Sequence, residues 1–232
     1  MRFTITTGQI AFFKKFGFIE FEQLLPEPDC QKMTAQAAAH FSKKLKGSWD
    51  TKSLSESIPA GRDIWRENSH FAELVSNRFF AKIASQLSAK PLRLLFDQLF
   101  HTPENQLTLD PFFATPKKLQ ELSSFQGMSI GLLLKLTDSP TPPAAYPPNL
   151  TEPFPLFPWL KGSGIFIEGE RCFQFDPIFS EPGQSYLLIV YGAIKTVYMP
   201  NPHDPSNIFL KKAGYGAGDL LKEETHPTLF QG

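Results

Sequence analysis

The residues after Pro91 constrain the fold most, because short apolar segments recur there between turn residues. Residues 92–100 and 128–136 are rich enough in large apolar side chains to be buried strands. Further strands are predicted over residues 164–168, 185–191, 195–199, 207–210 and 219–221. Many short strands at small intervals are typical of a sandwich or barrel of antiparallel strands.

The residues before Pro91 carry helix signals instead. Thr6 or Thr7 can cap a helix over residues 8–15, and Gly17 is suited to end it. An extended piece is predicted over 18–21, helices over 30–45, 71–75 and 79–88, and a mixed, mostly looped stretch over 49–68. We therefore predict a single α+β domain over residues 1–232, mainly helical in 1–90 and mainly β in 91–232.

Eight prolines lie in the segment 139–158, which excludes a central strand or a helix there. A pre-extended polyproline segment could serve as a ligand for an SH3-type domain of a protein partner. The aromatic residues within and beside the segment favour the other interpretation, a loop packed on the body of the protein: Tyr146, Phe154, Phe157 and Trp159.

The charge balance argues against nucleic-acid binding, since Lys+Arg and Asp+Glu number 23 each and no basic stretch stands out. The first residues lack the apolar core of a signal peptide, and the longest apolar run is broken by Lys135. Cys30 and Cys172 have no metal-binding spacing. These features predict a soluble, reduced, cytoplasmic protein without a membrane span.

Three segments together carry a family resemblance. Residues 5–26 form a helix, a short strand and a turn at Leu24-Leu25-Pro26; residues 71–98 form a helix and a strand with Asp97-Gln98 near its end. Residues 213–221 contain a Gly218-Asp219 turn. In this order they resemble the phytanoyl-CoA dioxygenase family of Fe(II)/2-oxoglutarate oxygenases. The resemblance implies a double-stranded β-helix of the cupin or jelly-roll kind, with the N-terminal helices packed on one sheet.

The resemblance also implies an iron site, which two histidines and one carboxylate would hold. The His-x-Asp motif of the family falls on Thr108-Leu109-Asp110, so Asp110 is retained while Thr108 occupies the histidine position. A threonine hydroxyl is not ionised at neutral pH and binds Fe(II) weakly. Gln231 falls in the slot of the second histidine, and His226 could replace it only if the loop were shifted by several residues.

The family holds oxoglutarate with an arginine beyond the second histidine, because a guanidinium grips a carboxylate at two points. The sequence shows no residue after Gly232, and its last four residues resemble the remnant of a protease tag, which leaves an engineered or truncated end open. Other catalytic motifs (GxGxxG, GxxxxGK[ST], GxSxG) are missing from the sequence.

The sequence therefore favours an oxygenase fold with a degenerate iron site and no cofactor. Its function would be to bind a small apolar or acyl ligand in the former substrate cavity, or a protein partner. The alternative is an active Fe(II)/2-oxoglutarate-dependent dioxygenase with unusual ligands drawn from Asp110, His226 and His203. Asp110 and His226 are the metal-ligand candidates under either hypothesis.

Overall fold

The computed structural model describes residues 4–45, 54–102, 112–139, 157–179 and 181–230. Helices in these ranges are α1 (Thr7–Phe16), α2 (Glu27–Leu45), α3 (Leu54–Ala60), α4 (Ser69–Val75), α5 (Arg78–Ser88) and α6 (Asn207–Lys212). Strands are β1 (Phe18–Phe21), β2 (Leu92–His101), β3 (Phe125–Gln126), β4 (Ser129–Lys135), β5 (Gly164–Glu168), β6 (Ser185–Ala193), β7 (Val197–Tyr198) and β8 (Thr228–Phe230). Single 3-10 turns lie at Ile64–Arg66, Leu119–Leu122 and Asp176–Phe179.

Local signals in the sequence set the two ends of α1. The Thr6 hydroxyl accepts the Gln9 backbone N–H at 3.2 Å, while the Gln9 side chain accepts the Thr6 N–H at 2.9 Å. This capping box satisfies N–H groups that the first helical turn leaves unpaired. Gly17 ends the helix with a φ of 72°, a left-handed conformation that glycine adopts without strain. The predicted helix, its Thr6 cap and its Gly17 stop are confirmed.

The strands form two antiparallel sheets. The larger sheet has the order β1-β5-β4-β6-β2-β8, and the smaller one pairs β3 with β7. Alternate residues of β6 contact two different cores, one on each face of the large sheet. Leu187 and Ile189 pack in a core with residues of α2, α4 and α5, whereas Leu188 and Val190 pack in a second core with residues of β3 and β7. Helices α2, α4 and α5 thus cover one face of the large sheet, and its other face encloses an interior lined by the small sheet.

The predicted mixture of helices and antiparallel sheets is confirmed, and most predicted elements are found. The strands expected over 92–100, 128–136, 164–168, 185–191 and 195–199 correspond to β2, β4, β5, β6 and β7. The helices expected over 30–45, 71–75 and 79–88 correspond to α2, α4 and α5. Helix α3 lies within the stretch 49–68 that the sequence predicts to be mostly looped, so that expectation is wrong for Leu54–Ala60. Strands β3 and β8 are not predicted either, since neither has a distinctive pattern in the sequence.

The predicted strand over residues 207–210 is wrong, because these residues form α6. Asp204 starts the helical turn: its carboxylate accepts the Ser206 N–H at 2.9 Å, and its carbonyl accepts the Asn207 N–H at 3.1 Å. The apolar run resembles a strand in the sequence, but only Leu210 faces the core. Ile208 and Phe209 remain 68% and 43% exposed.

The predicted strand over residues 219–221 is also wrong. These residues follow the turn at 217–218 and touch β7 through a single bridge between Val197 and Leu220. Gly218, at φ 90°, donates its N–H to the Tyr198 carbonyl, and Tyr198 in turn donates to the Asp219 carbonyl, both at 2.8 Å. The Gly218-Asp219 turn uses the backbone groups of Tyr198 for its own hydrogen bonds, so the pairing with β7 is limited to one bridge.

Other sequence predictions meet the structure only in part. Residues 140–156 of the proline-rich segment lie outside the described residues. At its described end, Phe157 packs against Phe173 and Tyr186 with ring centroids 4.7 and 5.9 Å apart. Both cysteines are free; Cys30 is buried and Cys172 is exposed. In the described part of the chain, we find no helix with the length and apolar character needed to span a bilayer.

Candidate functional site

A cavity of about 210 Å³ lies against the face of the large sheet that is turned away from α2, α4 and α5. Its other walls come from α3 and from residues outside the two sheets. Strand β2 supplies part of its wall, with Phe96, Gln98 and Phe100 pointing inward. A bulge between Leu94 and Phe96 shifts the register of β2 against β6. Because side chains alternate along a strand, the residues after this bulge present two aromatic rings and one amide to the interior.

Phenylalanine side chains form most of the apolar wall. Phe100 is 1% exposed, and its ring centroid lies 5.9 Å from Phe113, 5.9 Å from Phe175 and 5.8 Å from Phe179. These tilted and edge-on arrangements are the ones aromatic rings prefer. Phe112 continues the wall to the rim, where the exposed His203 ring stacks on it at 4.9 Å. The cavity therefore has a rigid aromatic side that suits a flat or apolar ligand.

The polar side of the cavity is built around Arg62, whose side chain is only 5% exposed. Its guanidinium carbon lies 4.0 Å from the centre of the Phe96 ring, and Nη2 donates to the Leu122 carbonyl. Nε lies 3.6 Å from Oδ1 of Asp204, an ion pair longer than a hydrogen bond. Within the described residues, Nε and Nη1 of Arg62 have no hydrogen-bond acceptor.

Asp204 is buried and holds its position through backbone donors. Its carboxylate accepts the Ser124 N–H at 2.7 Å and the Ser206 N–H at 2.9 Å. These hydrogen bonds hold the carboxylate on the loop before α6. Its negative charge then lies close enough to offset the positive charge of Arg62. The pair is thus nearly neutral, while Nε and Nη1 of the guanidinium are buried and keep N–H groups without an acceptor among the described residues.

Gln98 lies beside Arg62, because the two residues form an isolated antiparallel β-bridge. Its side-chain nitrogen donates to the Ile58 carbonyl at 2.9 Å and to the Leu99 carbonyl at 3.0 Å. Both amide hydrogens are committed by these bonds, so the amide oxygen is the acceptor that the side chain can offer.

A buried acidic pair lies behind this wall, on the helix-facing side of β2. Burial, and then repulsion from Asp63, raise the pKa of Asp97 well above its ordinary value, which favours the neutral carboxyl. The Asp97 side chain accepts the Trp65 backbone N–H at 3.3 Å. Asp63 in turn pairs with Arg66 at 3.7 Å and accepts the Ser206 hydroxyl at 2.6 Å. This network anchors the segment that carries Arg62.

Of the five residues considered for an iron site, the structure describes His203 and His226, and His203 is exposed and stacked on Phe112 at the rim of the cavity. Thr108, Asp110 and Gln231 lie outside the described residues. His226 is fully buried between the rings of Phe125 and Tyr215, with centroid distances of 5.0 and 6.0 Å. The metal-ligand prediction for Asp110 and His226 therefore stays a prediction.

The surroundings of His226 are poorly suited to a metal cation. Arg66 Nη2 lies 3.5 Å from Nε2, and because a guanidinium can only donate, Nε2 accepts. Nδ1 then donates to the Thr225 hydroxyl at 3.0 Å. Burial and the two nearby arginines, Arg66 and Arg93, lower the pKa of His226 to about 3. In the described ranges, no group of three His, Cys, Asp or Glu side chains could hold a metal ion. These residues by themselves do not fit iron.

Part of the cavity could be recognised in the sequence, but its centre could not. The Asp97-Gln98 pair belongs to the family resemblance, and Gln98 lines the cavity. Phe112 and Phe113, which also line it, follow closely after Asp110. Arg62 lies in the stretch interpreted as mixed and looped, where no motif marks it. Only the tertiary structure brings it beside Gln98 and Asp204.

No family model matches the chain, and no curated protein matches it. Solved structures do. The non-heme alpha ketoglutarate dependent carbocyclase SnoK from nogalamycin biosynthesis is 15% identical, with 96% of each chain covered and a TM-score of 0.69. The corresponding epimerase SnoN is 18% identical, covering 97% of this chain and 98% of its own, with a TM-score of 0.65. HygX from Streptomyces hygroscopicus, solved with nickel and 2-oxoglutarate, is 14% identical, covering 94% and 98%, with a TM-score of 0.52.

At such low identities these likenesses show the fold alone. The chain has the fold of non-heme iron, 2-oxoglutarate-dependent enzymes, as its resemblance in sequence implied. The narrower resemblance to the phytanoyl-CoA dioxygenase family has no matching family model behind it.

Proposed function

We propose that this protein is a non-catalytic, phytanoyl-CoA-dioxygenase-like member of the double-stranded β-helix fold that binds a small apolar or acyl ligand. The observation that carries the proposal is the interior cavity, with its aromatic wall and the buried Arg62. A concave, mainly apolar site with a few polar groups is the usual form of a small-molecule site. The replacement of the motif histidine by Thr108 supports binding rather than oxygenation.

The size of the cavity limits the ligand. An apolar cavity of about 150 Å³ in another protein holds benzene. At about 210 Å³, this cavity accommodates a molecule somewhat larger than benzene. A whole coenzyme A thioester is far too large, so the enclosed part of any ligand is a short acyl or aromatic group.

Filling the cavity is expected to abolish binding without unfolding the protein. Ile58 lines the cavity from α3 and is only partly buried, so Ile58→Trp can place an indole ring in the space. NMR titration of wild-type protein with cumene and with benzamide should detect saturable binding of at least one. We expect Ile58→Trp to lose it.

The matched control is Ile208→Trp, which adds the same ring at a position that is 68% exposed. This variant should bind as the wild type does. If neither probe binds the wild type, or if Ile58→Trp binds both unchanged, the cavity is not a ligand site and the proposed function fails.

The likeness to SnoK, SnoN and HygX favours a second candidate function, an active Fe(II)/2-oxoglutarate-dependent dioxygenase with Asp110 and His226 among its ligands. Anaerobic reconstitution with Fe(II), followed by gel filtration and metal analysis, separates the candidates. Under the leading proposal, the protein retains no stoichiometric iron and forms no succinate from 2-oxoglutarate above a heat-treated control. Stoichiometric iron together with succinate formation would establish the second candidate instead.

A further inference from the structure

We infer that the cavity selects a neutral acyl group, such as an amide or ketone, and that Arg62 donates to its carbonyl oxygen. This inference rests on the proposed function and names the chemical class of its ligand. A free carboxylate, although the usual partner of an arginine, is disfavoured here.

The first argument is the hydrogen-bond inventory of Arg62. Nη2 already donates to the Leu122 carbonyl, whereas Nε and Nη1 have no acceptor in the described part of the chain. A buried N–H without an acceptor is costly, and hydrogen bonds from charged donors are among the stronger ones. Arg62 lines the cavity, so a ligand oxygen that reaches its guanidinium there would satisfy a donor that the protein leaves unpaired.

The second argument is the charge around Arg62. Asp204 is buried 3.6 Å from Nε and balances the guanidinium, although its own hydrogen bonds go to backbone N–H groups. Arg66, which lines a neighbouring groove together with Arg62, pairs with Asp63. A ligand carboxylate next to Arg62 would therefore add a second buried anion beside Asp204, which is strongly unfavourable. The Lys117 ammonium lies at the rim, 5.0 Å from the centre of the Phe112 ring. A carbonyl oxygen accepts the same hydrogen bond and adds no charge.

The third argument is the amide of Gln98. Its nitrogen donates to Ile58 and Leu99, so its oxygen is the group left to accept from a ligand. A primary amide of a ligand can bond to both side chains. Its oxygen can accept a hydrogen bond from Arg62, and its N–H can donate one to the side-chain oxygen of Gln98. The aromatic wall then receives the apolar body of the ligand.

Three probes with the same number of non-hydrogen atoms test this class: benzamide, benzoate and cumene. We expect benzamide to bind wild-type protein about tenfold more tightly than either of the others, as titrated by protein-observed NMR at neutral pH. Arg62→Lys keeps a positive charge for Asp204 but removes the planar N–H groups. It should weaken benzamide about tenfold and leave cumene unchanged.

The outcomes separate the inference from the proposed function on which it rests. Preferential binding of benzoate, or equal binding of benzamide and cumene, would overturn the neutral-acyl inference while leaving the cavity a ligand site. Failure of both benzamide and cumene to bind would overturn the proposed function and the inference together. The wild-type ranking decides the question even if Arg62→Lys does not fold, and circular dichroism of that variant checks its fold.

Discussion

Phe100→Ala is expected to lower the free energy of unfolding by about 3–5 kcal/mol, as removal of a buried aromatic ring from a packed core does. Phe100 is 1% exposed and lies within 6 Å of the ring centroids of Phe113, Phe175 and Phe179. Its loss removes three aromatic contacts in addition to buried apolar surface, and the β-sheet on which it lies cannot collapse to fill the space.

Urea denaturation followed by circular dichroism measures this loss. Phe209→Ala is the matched control, since the Phe209 side chain is 43% exposed on α6 and makes a cation–π contact with Arg66. The control should cost about 1 kcal/mol or less. Equal destabilisation by the two variants would show that the Phe100 cluster is not the packed interior described above.

The strands could be predicted where large apolar residues are concentrated in a short segment. Residues 92–100 alternate only loosely between apolar and polar side chains, and β2 is buried along its whole length. The sequence does not show which side chain faces which core, because the bulge between Leu94 and Phe96 resets the alternation. Asp97 thus points to the helices and Gln98 to the cavity, a division that follows from the pairing with β6.

Predictions failed where a side chain, rather than a pattern, decides the local structure. The apolar residues 207–210 match a strand as well as they match a helix, and the contacts of Asp204 with the backbone of Ser206 select the helix. The same carboxylate also holds Arg62, which is 142 positions earlier in the numbering. Such long-range contacts leave no periodic signal in a single sequence, and so the polar half of the candidate site could not be predicted.

The iron-site residues show the converse case. Thr108, Asp110 and Gln231 could be named from the sequence because a family motif has fixed spacing, yet they lie outside the described residues. His226 could be named too, but its partners Arg66 and Tyr215 come from distant segments. A motif assigns a position in the chain, whereas the donors and charges around that position depend on the fold.

Acidification is expected to destabilise the protein, and His101 should account for a large part of the effect. Burial lowers the pKa of His101 from 6.5 to about 3, and its Nδ1 lies 2.9 Å from the Ser185 hydroxyl. Between these two pH values the unfolded chain takes up a proton that the folded protein does not. The free energy of unfolding therefore falls as the pH falls, by up to about 1.4 kcal/mol per pH unit from this residue.

His101→Asn removes the titrating ring and keeps a polar atom near Ser185, so its unfolding free energy should depend less steeply on pH below about 6. Chemical denaturation across this range measures the slope, and His203→Asn, at an exposed ring, should leave it unchanged.

His226 adds a loss of stability in acid of the same sign in every variant. Asp97 acts in the opposite direction, because a raised carboxyl pKa contributes stability that is present in acid and lost as the pH rises. Both contributions cancel in the comparison with wild type, so an unchanged slope in His101→Asn would mean that the folded protein protonates this ring as readily as the unfolded chain does.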